Sequence, residues 1–483
     1  MNTHQLYING QYTSSNSNET INVTNPATEE IISIILSGNE HDADKAVQAA
    51  HEAQWGWEST PSNERGRIVR EIGLKMNENR EKFVHLLIEE QGKSREMAEG
   101  EVDLAIDYFQ YMSEWARRIE GNIVPSDRPN ENIFIHKRAI GVVAGIVPWN
   151  FPVFILARKV ATSLIAGCTI VLKPSQQTPN TAAFFTEMID EMNILPKGVY
   201  NFITGKGSTL GNALATHEKV AMVTMTGSIP AGVKVMEAAA QNITKVNLEL
   251  GGKAPAIVTK NADIDLAVEN ITKSRIVNAG QACTNAERVY VHKDIASEFN
   301  NRLTESMSAV TYGDPLQDDT LDMGPLVSRD RLEEVDEMVK HAVKEGAEVL
   351  TGGRPADTEK GYFYEPTVIG GAEQNMKIIQ EEIFGPVIPI VTFENVDEVI
   401  RMANDSDYGL SSSLYTENYH EAMKISNSLR YGETFVNREN FEAVQGYHAG
   451  FRKSGIGGTD GRHGLEDFLS TQVVYMQYKD DVK

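Results

Sequence analysis

An α/β fold built from at least two parallel-sheet domains is what this sequence predicts, and three observations carry the prediction. The chain has 483 residues, beyond the roughly 250 to 300 at which a single hydrophobic core stops growing. From Ala139 onward a pattern of apolar run, turn and helix recurs. This is the mark of βαβ units, whose strands are buried on both faces and read as continuous apolar stretches. A second series of the same kind begins after the Gly251, Gly252 pair.

The elements follow in chain order. Residues 41–55 repeat apolar side chains at Ala46, Val47, Ala50 and Ala53, a helical spacing with Asp42 or Asp44 as candidate cap. Residues 63–90 read as one longer helix of the same kind. Strands are expected at 141–147, 169–172, 199–204 and 220–226, and in the second series at 256–258 and 288–291, flanking a helix at 264–279. The mostly apolar stretch 139–172 is interrupted by Asn150, Arg158 and Lys159 and carries Pro148 and Pro152. It therefore reads as buried strand, loop and core helix rather than a membrane span. Residues 471–478 form a β-prone run without a nearby hairpin partner, so they need a sheet edge, another subunit's included.

Composition narrows the function. Hydrophobic residues make up 41% and charged residues 23%, ordinary usage for a globular chain. Asp plus Glu number 68 against 45 Lys plus Arg, a formal charge of −23, and that field repels phosphate backbones, so no nucleic-acid partner is expected. The first ten residues, MNTHQLYING, lack the basic and apolar regions of a secretory signal. Two cysteines, at 168 and 283, suggest no disulfide framework, and a cytoplasmic setting fits. No metal site and no membrane partner are expected.

Cys283 lies in Asn278-Ala-Gly-Gln-Ala-Cys-Thr284, between a predicted helix and a strand. Gly280 would end the helix and leave the sulfur on a turn where it can face a cleft. A thiolate is a strong nucleophile even when a small fraction is ionised, although a lone cysteine is more often an inert core residue. Cys168, inside an apolar segment, takes that inert reading. Glu249 lies in Val246-Asn-Leu-Glu-Leu-Gly-Gly252, opposite in direction to Val246, Leu248 and Leu250. A carboxylate in a partly dry site would have a raised pKa, as a general base near neutral pH needs; a solvated strand face is the plainer alternative. Two Gly-rich turns compete for a phosphate. Thr204-Gly-Lys-Gly-Ser-Thr-Leu-Gly211 has its third glycine one position too late for G-x-G-x-x-G. Thr226-Gly-Ser-Ile-Pro-Ala-Gly232 follows a strand and opens a helix with Ser228 as cap and Pro230 in the first turn.

Seven segments occur in an order that resembles the aldehyde dehydrogenase superfamily over nearly the full length. They are Pro148-Trp-Asn-Phe-Pro152, Val171-Leu-Lys-Pro-Ser175, Met225-Thr-Gly-Ser228, Leu248-Glu-Leu-Gly-Gly-Lys253, Gly280-Gln-Ala-Cys283, Glu381-Glu-Ile-Phe-Gly-Pro386 and Lys453-Ser-Gly455. Within it the chain resembles the lactaldehyde and glycolaldehyde type, over residues 437–458 above all. The resemblance implies a Rossmann-type cofactor domain (1–118 and 140–250), an α/β catalytic domain (251–445), a return segment (446–465) and a small β oligomerisation arm (119–139 and 466–483). It implies a homodimer or homotetramer.

By the same resemblance Cys283 is the nucleophile, Glu249 the base and Asn150, with the Cys283 backbone N–H, the oxyanion donor. Ile146, Pro148, Trp149, Lys173, Ser175, Gln176, Gly207, Gly227, Ser228, Leu250, Glu382 and Phe384 would hold NAD, with Gly227 and Ser228 as the pyrophosphate turn. Phe151, Arg158, Thr284, Glu442 and His448 would line the aldehyde pocket. Many NAD-using relatives have Glu at the position of Gln176; Gln removes the charge that repels a 2′-phosphate, so NADP is admitted beside NAD. Polar Arg158, Glu442 and His448 in a pocket that is aromatic in many relatives favour a short hydroxylated or anionic aldehyde over a fatty one. A purely structural Arg158–Glu442 ion pair is the alternative. Two rival functions stand beside this: a CoA-acylating semialdehyde dehydrogenase, against which Glu249 speaks, and a non-catalytic binding protein that kept the fold.

Overall fold

The computed structural model describes residues 2–479, so positions 480–483 of the expected arm lie outside the described residues. Its frame is an eight-stranded and a seven-stranded sheet, with two three-stranded sheets beside them. In the larger sheet Val142–Ile146 runs parallel between Ile170–Lys173 and Val220–Thr226. Tyr200–Phe202 continues one side and Lys245–Glu249 the other. Antiparallel strands close the edges: Leu6–Ile8 and Gln11–Thr13 at one, Gly455–Ile456 at the other. Strand order thus diverges at Val142–Ile146, and in such sheets the crevice for ligands opens past the carboxyl ends of the strands at that point. The seven-stranded sheet has Ala254–Val258, Ala286–His292 and Val387–Phe393 at its parallel centre.

Helices cover both faces, and three of them differ from expectation. The first runs Glu40–Ser59, and its cap is Asn39, whose side chain accepts from His41 and Asp42; Asp42 is the third helical residue and bonds back to complete a capping box. The stretch expected as one helix is two, Ser62–Glu78 and Arg80–Gln91. They part at Asn79, whose side-chain amide donates to the Lys75 carbonyl at 2.8 Å and so competes with the helical ladder. The helix before Cys283 stops at Ile276 rather than Ala279.

The run near the C-terminus is the strand Leu469–Gln477, and its partner lies in the same chain. It pairs antiparallel with Glu131–Ala139 along its whole length, and Asn122–Pro125 flanks that strand. Among the described residues no helix is long and apolar enough to cross a membrane, and no cluster of three or more His, Cys, Asp or Glu could hold a metal ion.

Candidate active site

Residues 147–151 leave the carboxyl end of the divergent strand and lead into the helix Pro152–Ala166. Pro152 opens that helix, where a missing N–H costs nothing. The next two amides, of Val153 and Phe154, donate to Glu101 Oε1 at 2.8 and 3.1 Å. Glu101 is ion-paired with the fully buried Lys93, whose Nζ donates to the Asn150 carbonyl at 2.6 Å. Asn150 Nδ2 in turn donates to the Gln281 carbonyl at 3.0 Å. One amide hydrogen is thereby fixed, and the second remains for the cleft.

The loop that carries Cys283 is held in an uncommon backbone shape. Asn278, Ala279 and Gly280 are all left-handed, with φ of 51, 53 and 76°. A Cβ on Gly280 would stand 2.1 Å from the Gly385 carbonyl oxygen, so only glycine fits. Gln281 then locks the turn, accepting from Val327 N at 2.9 Å and donating to Asn278 O at 2.8 Å. On the other side a Cβ on Gly252 would lie 2.1 Å from the Cys283 carbonyl oxygen. Gly280 and Gly252 therefore let backbone close around the cysteine. Cys283, Asn150 and Glu249 line one cavity of about 590 Å³, together with Pro148, Trp149, Gly227, Ser228, Leu250, Glu382 and Phe384. Cys168 contrasts: it is fully buried, 3.5 Å from the Phe468 carbonyl oxygen, with burial pushing its thiol up to about 11.

Charge around the cavity is uneven. Glu249 is 2% exposed and accepts from Thr226 Oγ1 at 3.1 Å, with Lys159 Nζ 3.7 Å from its other oxygen. Burial alone would raise its pKa, but Lys159, Arg158 and His448 outweigh it and hold the carboxyl well below the usual range. The raised value expected from the sequence is thus overturned, because Lys159 and Arg158, on a helix about ninety residues earlier in the chain, and the distant His448 all act on it. Glu382 shows the opposite shift, to about 7, from burial and the nearby Glu287 carboxylate, against the Gly252 N–H that it accepts at 2.7 Å. Burial pushes the Cys283 thiol up, and His448 pulls it back down.

The residues expected to contact the aldehyde lie outside the lining of that cavity. Arg158 is buried and forked onto Asp460, its Nε 2.9 Å from Oδ1, and it also reaches Glu442 at 2.9 Å. His448 is buried with Nδ1 2.9 Å from Glu433 Oε2. Phe151 lies under the Lys93 ammonium, 3.7 Å from its ring centre, and Thr284 is buried with its carbonyl accepting from Ser411. Sequence reasoning missed Lys159 and Asp460 as site residues. Lys159 had a signal, a charge inside a mostly apolar helix. Asp460, some three hundred residues from Arg158, had none.

A second cavity of about 760 Å³ continues from the first through Ser228 and Pro230, which line both. Ile146 and Gly207 are in its wall. A Cβ on Gly207 would meet nothing within 4 Å, so the glycine leaves space for a ligand rather than for protein. Ser228 caps the helix Ile229–Ala239 by position but makes no side-chain cap bond, which leaves first-turn N–H groups for an anion. Such walls fit a dinucleotide diphosphate. The sequence of residues 12–474 matches the aldehyde dehydrogenase family. The chain belongs to that family.

Among its aldehyde dehydrogenase relatives, lactaldehyde dehydrogenase of Escherichia coli is 53% identical over 98% of both chains. A crystal structure of that E. coli enzyme superposes with a TM-score of 0.97 over 99% of this chain and 100% of the other. D-glyceraldehyde dehydrogenase (NADP+) of Thermoplasma acidophilum is 40% identical over 98% of this chain and 96% of its own. Betaine aldehyde dehydrogenase of Staphylococcus aureus, solved with NAD+, is 33% identical with a TM-score of 0.96, covering 99% of this chain and 97% of that one. Of the cofactor residues that the family resemblance implies, Lys173, Ser175 and Gln176 stand outside both cavity linings, at the carboxyl end of Ile170–Lys173. Lys173 is buried, donates to the Pro174 carbonyl at 3.1 Å, and has its ammonium pushed down to about 8 by burial. Gln176 is exposed.

Proposed function

We propose that this aldehyde dehydrogenase oxidises a small, neutral hydroxyaldehyde to its carboxylic acid with NAD, NADP being admitted, through a thioester on Cys283. The observation that carries the proposal is the convergence of Cys283, Asn150 and Glu249 on one cavity continuous with a dinucleotide-sized one. The Cys283 thiolate forms a bond to the carbonyl carbon, and the carbonyl oxygen takes the negative charge. The free Asn150 N–H and the Cys283 backbone N–H receive that oxygen, and preorganised donors of this kind typically contribute about 10² to 10³ in rate. When bound, the dinucleotide supplies the acceptor for the hydride whose loss turns the thiohemiacetal into a thioester. Glu249 is ionised throughout the neutral range, so it is always in the form that can take a proton from water as the water oxygen attacks the thioester. The acid departs and the thiolate is restored.

The pairing of the two cations expected to meet the aldehyde supports a neutral substrate rather than an anionic one. Arg158 is already matched by Asp460 and Glu442, and His448 by Glu433, so neither cation is left to bind a carboxylate. The E. coli and Thermoplasma relatives are named for hydroxyaldehydes, which agrees. A panel of glycolaldehyde, lactaldehyde, glyoxylate and hexanal, read by cofactor absorbance, tests this. Lactaldehyde or glycolaldehyde should exceed hexanal by about a hundredfold in kcat/KM, and a hexanal preference would defeat the reading. Cys283→Ser should abolish turnover, and full activity in that variant would end the thioester mechanism. A homodimer or homotetramer in a reducing cytoplasm is our reading of the arm and of two free cysteines. Sedimentation would expose a monomer.

A further inference from the structure

Glu433 has no part in the chemistry described so far, yet it is built into the nucleophile's surroundings. It opens the strand Glu433–Val436, where its N–H donates to the Leu410 carbonyl and its carbonyl accepts from Ser412 Oγ. Its carboxylate is therefore carried on fixed backbone, with the side chain 13% exposed. His448 is pinned from the other direction, through a two-way backbone bridge to Thr459 of 2.9 and 2.8 Å. With both partners anchored, the 2.9 Å bond from His448 Nδ1 to Glu433 Oε2 sets the plane and tilt of a ring that is 1% exposed. Nε2 is the nitrogen that remains, and the pair stands beside the Cys283 turn: Ser411, the register partner of Glu433, donates to the Thr284 carbonyl, and His448 draws the Cys283 thiol's pKa down. A carboxylate that takes one imidazole nitrogen fixes which tautomer and face the other presents.

We propose that Glu433 is a positioning residue for the sulfur at 283: it holds the His448 ring so that its remaining nitrogen is presented to Cys283, a relay assembled by the protein before dinucleotide or aldehyde arrives. This rests on the reading of Cys283 as the nucleophile. The groups that face His448 favour its charged form. Glu433, Glu442, Glu249 and Asp460 all act on it as anions, and the cations of the same cluster, Arg158 and Lys159, are paired with Glu442, Asp460 and Glu249. Loss of the Cys283 proton then creates an ion pair rather than an isolated buried anion.

The test is the rate at which iodoacetamide alkylates Cys283 in the cofactor-free enzyme, followed by mass spectrometry from about pH 5 to about pH 10. Buried Cys168 should stay unmodified and serves as internal control. Glu433→Ala should slow alkylation about tenfold near pH 7 while leaving the alkaline plateau unchanged, because one pKa unit is a tenfold change in thiolate fraction. Glu433→Gln keeps the hydrogen bond and should recover at least half of the lost rate. A Glu433→Ala profile that superimposes on the wild type, or a Glu433→Gln variant as slow as the alanine one, overturns the proposal. If Glu433→Ala fails to fold, His448→Gln replaces it, and an unchanged profile there is equally fatal. Full turnover by Cys283→Ser would instead sink the nucleophile reading, and the alkylation profiles would still judge the relay.

Discussion

Two carboxylates, Glu249 buried and Glu382 partly exposed, line the same cavity and behave in opposite ways. Glu249, on the wall made by the eight-stranded sheet, has Lys159, Arg158 and His448 for neighbours and stays ionised well into acid. Glu382, on the facing wall, has Glu287 nearby and holds its proton to about 7. Burial raises both, so burial cannot be what separates them; the sign of the nearest charges decides. One wall is thereby set to accept a proton, and the other to carry one or to donate a hydrogen bond.

The comparison can be broken in four ways, in falling order of effect. Glu249→Gln removes the proton acceptor and should cut turnover by about 10² to 10⁴. It should also leave a trapped acyl-enzyme, visible by intact-mass spectrometry; normal turnover would show that the cation-rich wall does no chemistry. Lys159→Met leaves Glu249 buried without its nearest partner, and removing one side of such a pair costs about 3 to 5 kcal/mol. The sign follows from the depressed folded pKa. Glu249 contributes stability above the ordinary 4.5 that is lost as pH falls through the folded value. Without Lys159 the acid limb of the pH–rate profile should move to higher pH, and an unmoved limb would assign the shift to Arg158 and His448 instead.

Glu382→Gln tests the facing wall. Its folded pKa is raised, so the wild type loses stability as pH climbs from the ordinary 4.5 through about 7, and the variant does not. The stability gap between them should widen by about 1 to 3 kcal/mol over that range in urea melts; a constant gap would mean that Glu382 titrates normally. Gln176→Glu is the smallest change, a carboxylate in the open. It should lower the NADP to NAD ratio in kcat/KM about five- to tenfold, less at high salt.

Much of this was legible in the sequence because it is local. Parallel strands declare themselves as apolar runs, and Pro152 and the glycines at 251, 252 and 280 mark where backbone must bend or approach. The cavity's composition followed from segments whose order alone resembles a known family. The charge on Glu249 was not legible, since its strand neighbours are apolar and its cations sit on another element. Asp460 and Glu433 were hidden for the same reason: they act on Arg158 and His448 through space, and nothing in their own surroundings announces it. Asn79, neither proline nor glycine, ended a helix by donating its side-chain amide to the Lys75 carbonyl, which periodicity does not register.

The contact of Gly280 with Gly385 has a mechanical consequence. With no room for even a methyl group between them, the turn bearing the sulfur and the segment bearing Glu382 and Phe384 ride as one plate. A displacement of the segment around residue 382 should therefore carry position 283 with it, so that whatever fills the cleft on one side also adjusts the sulfur on the other.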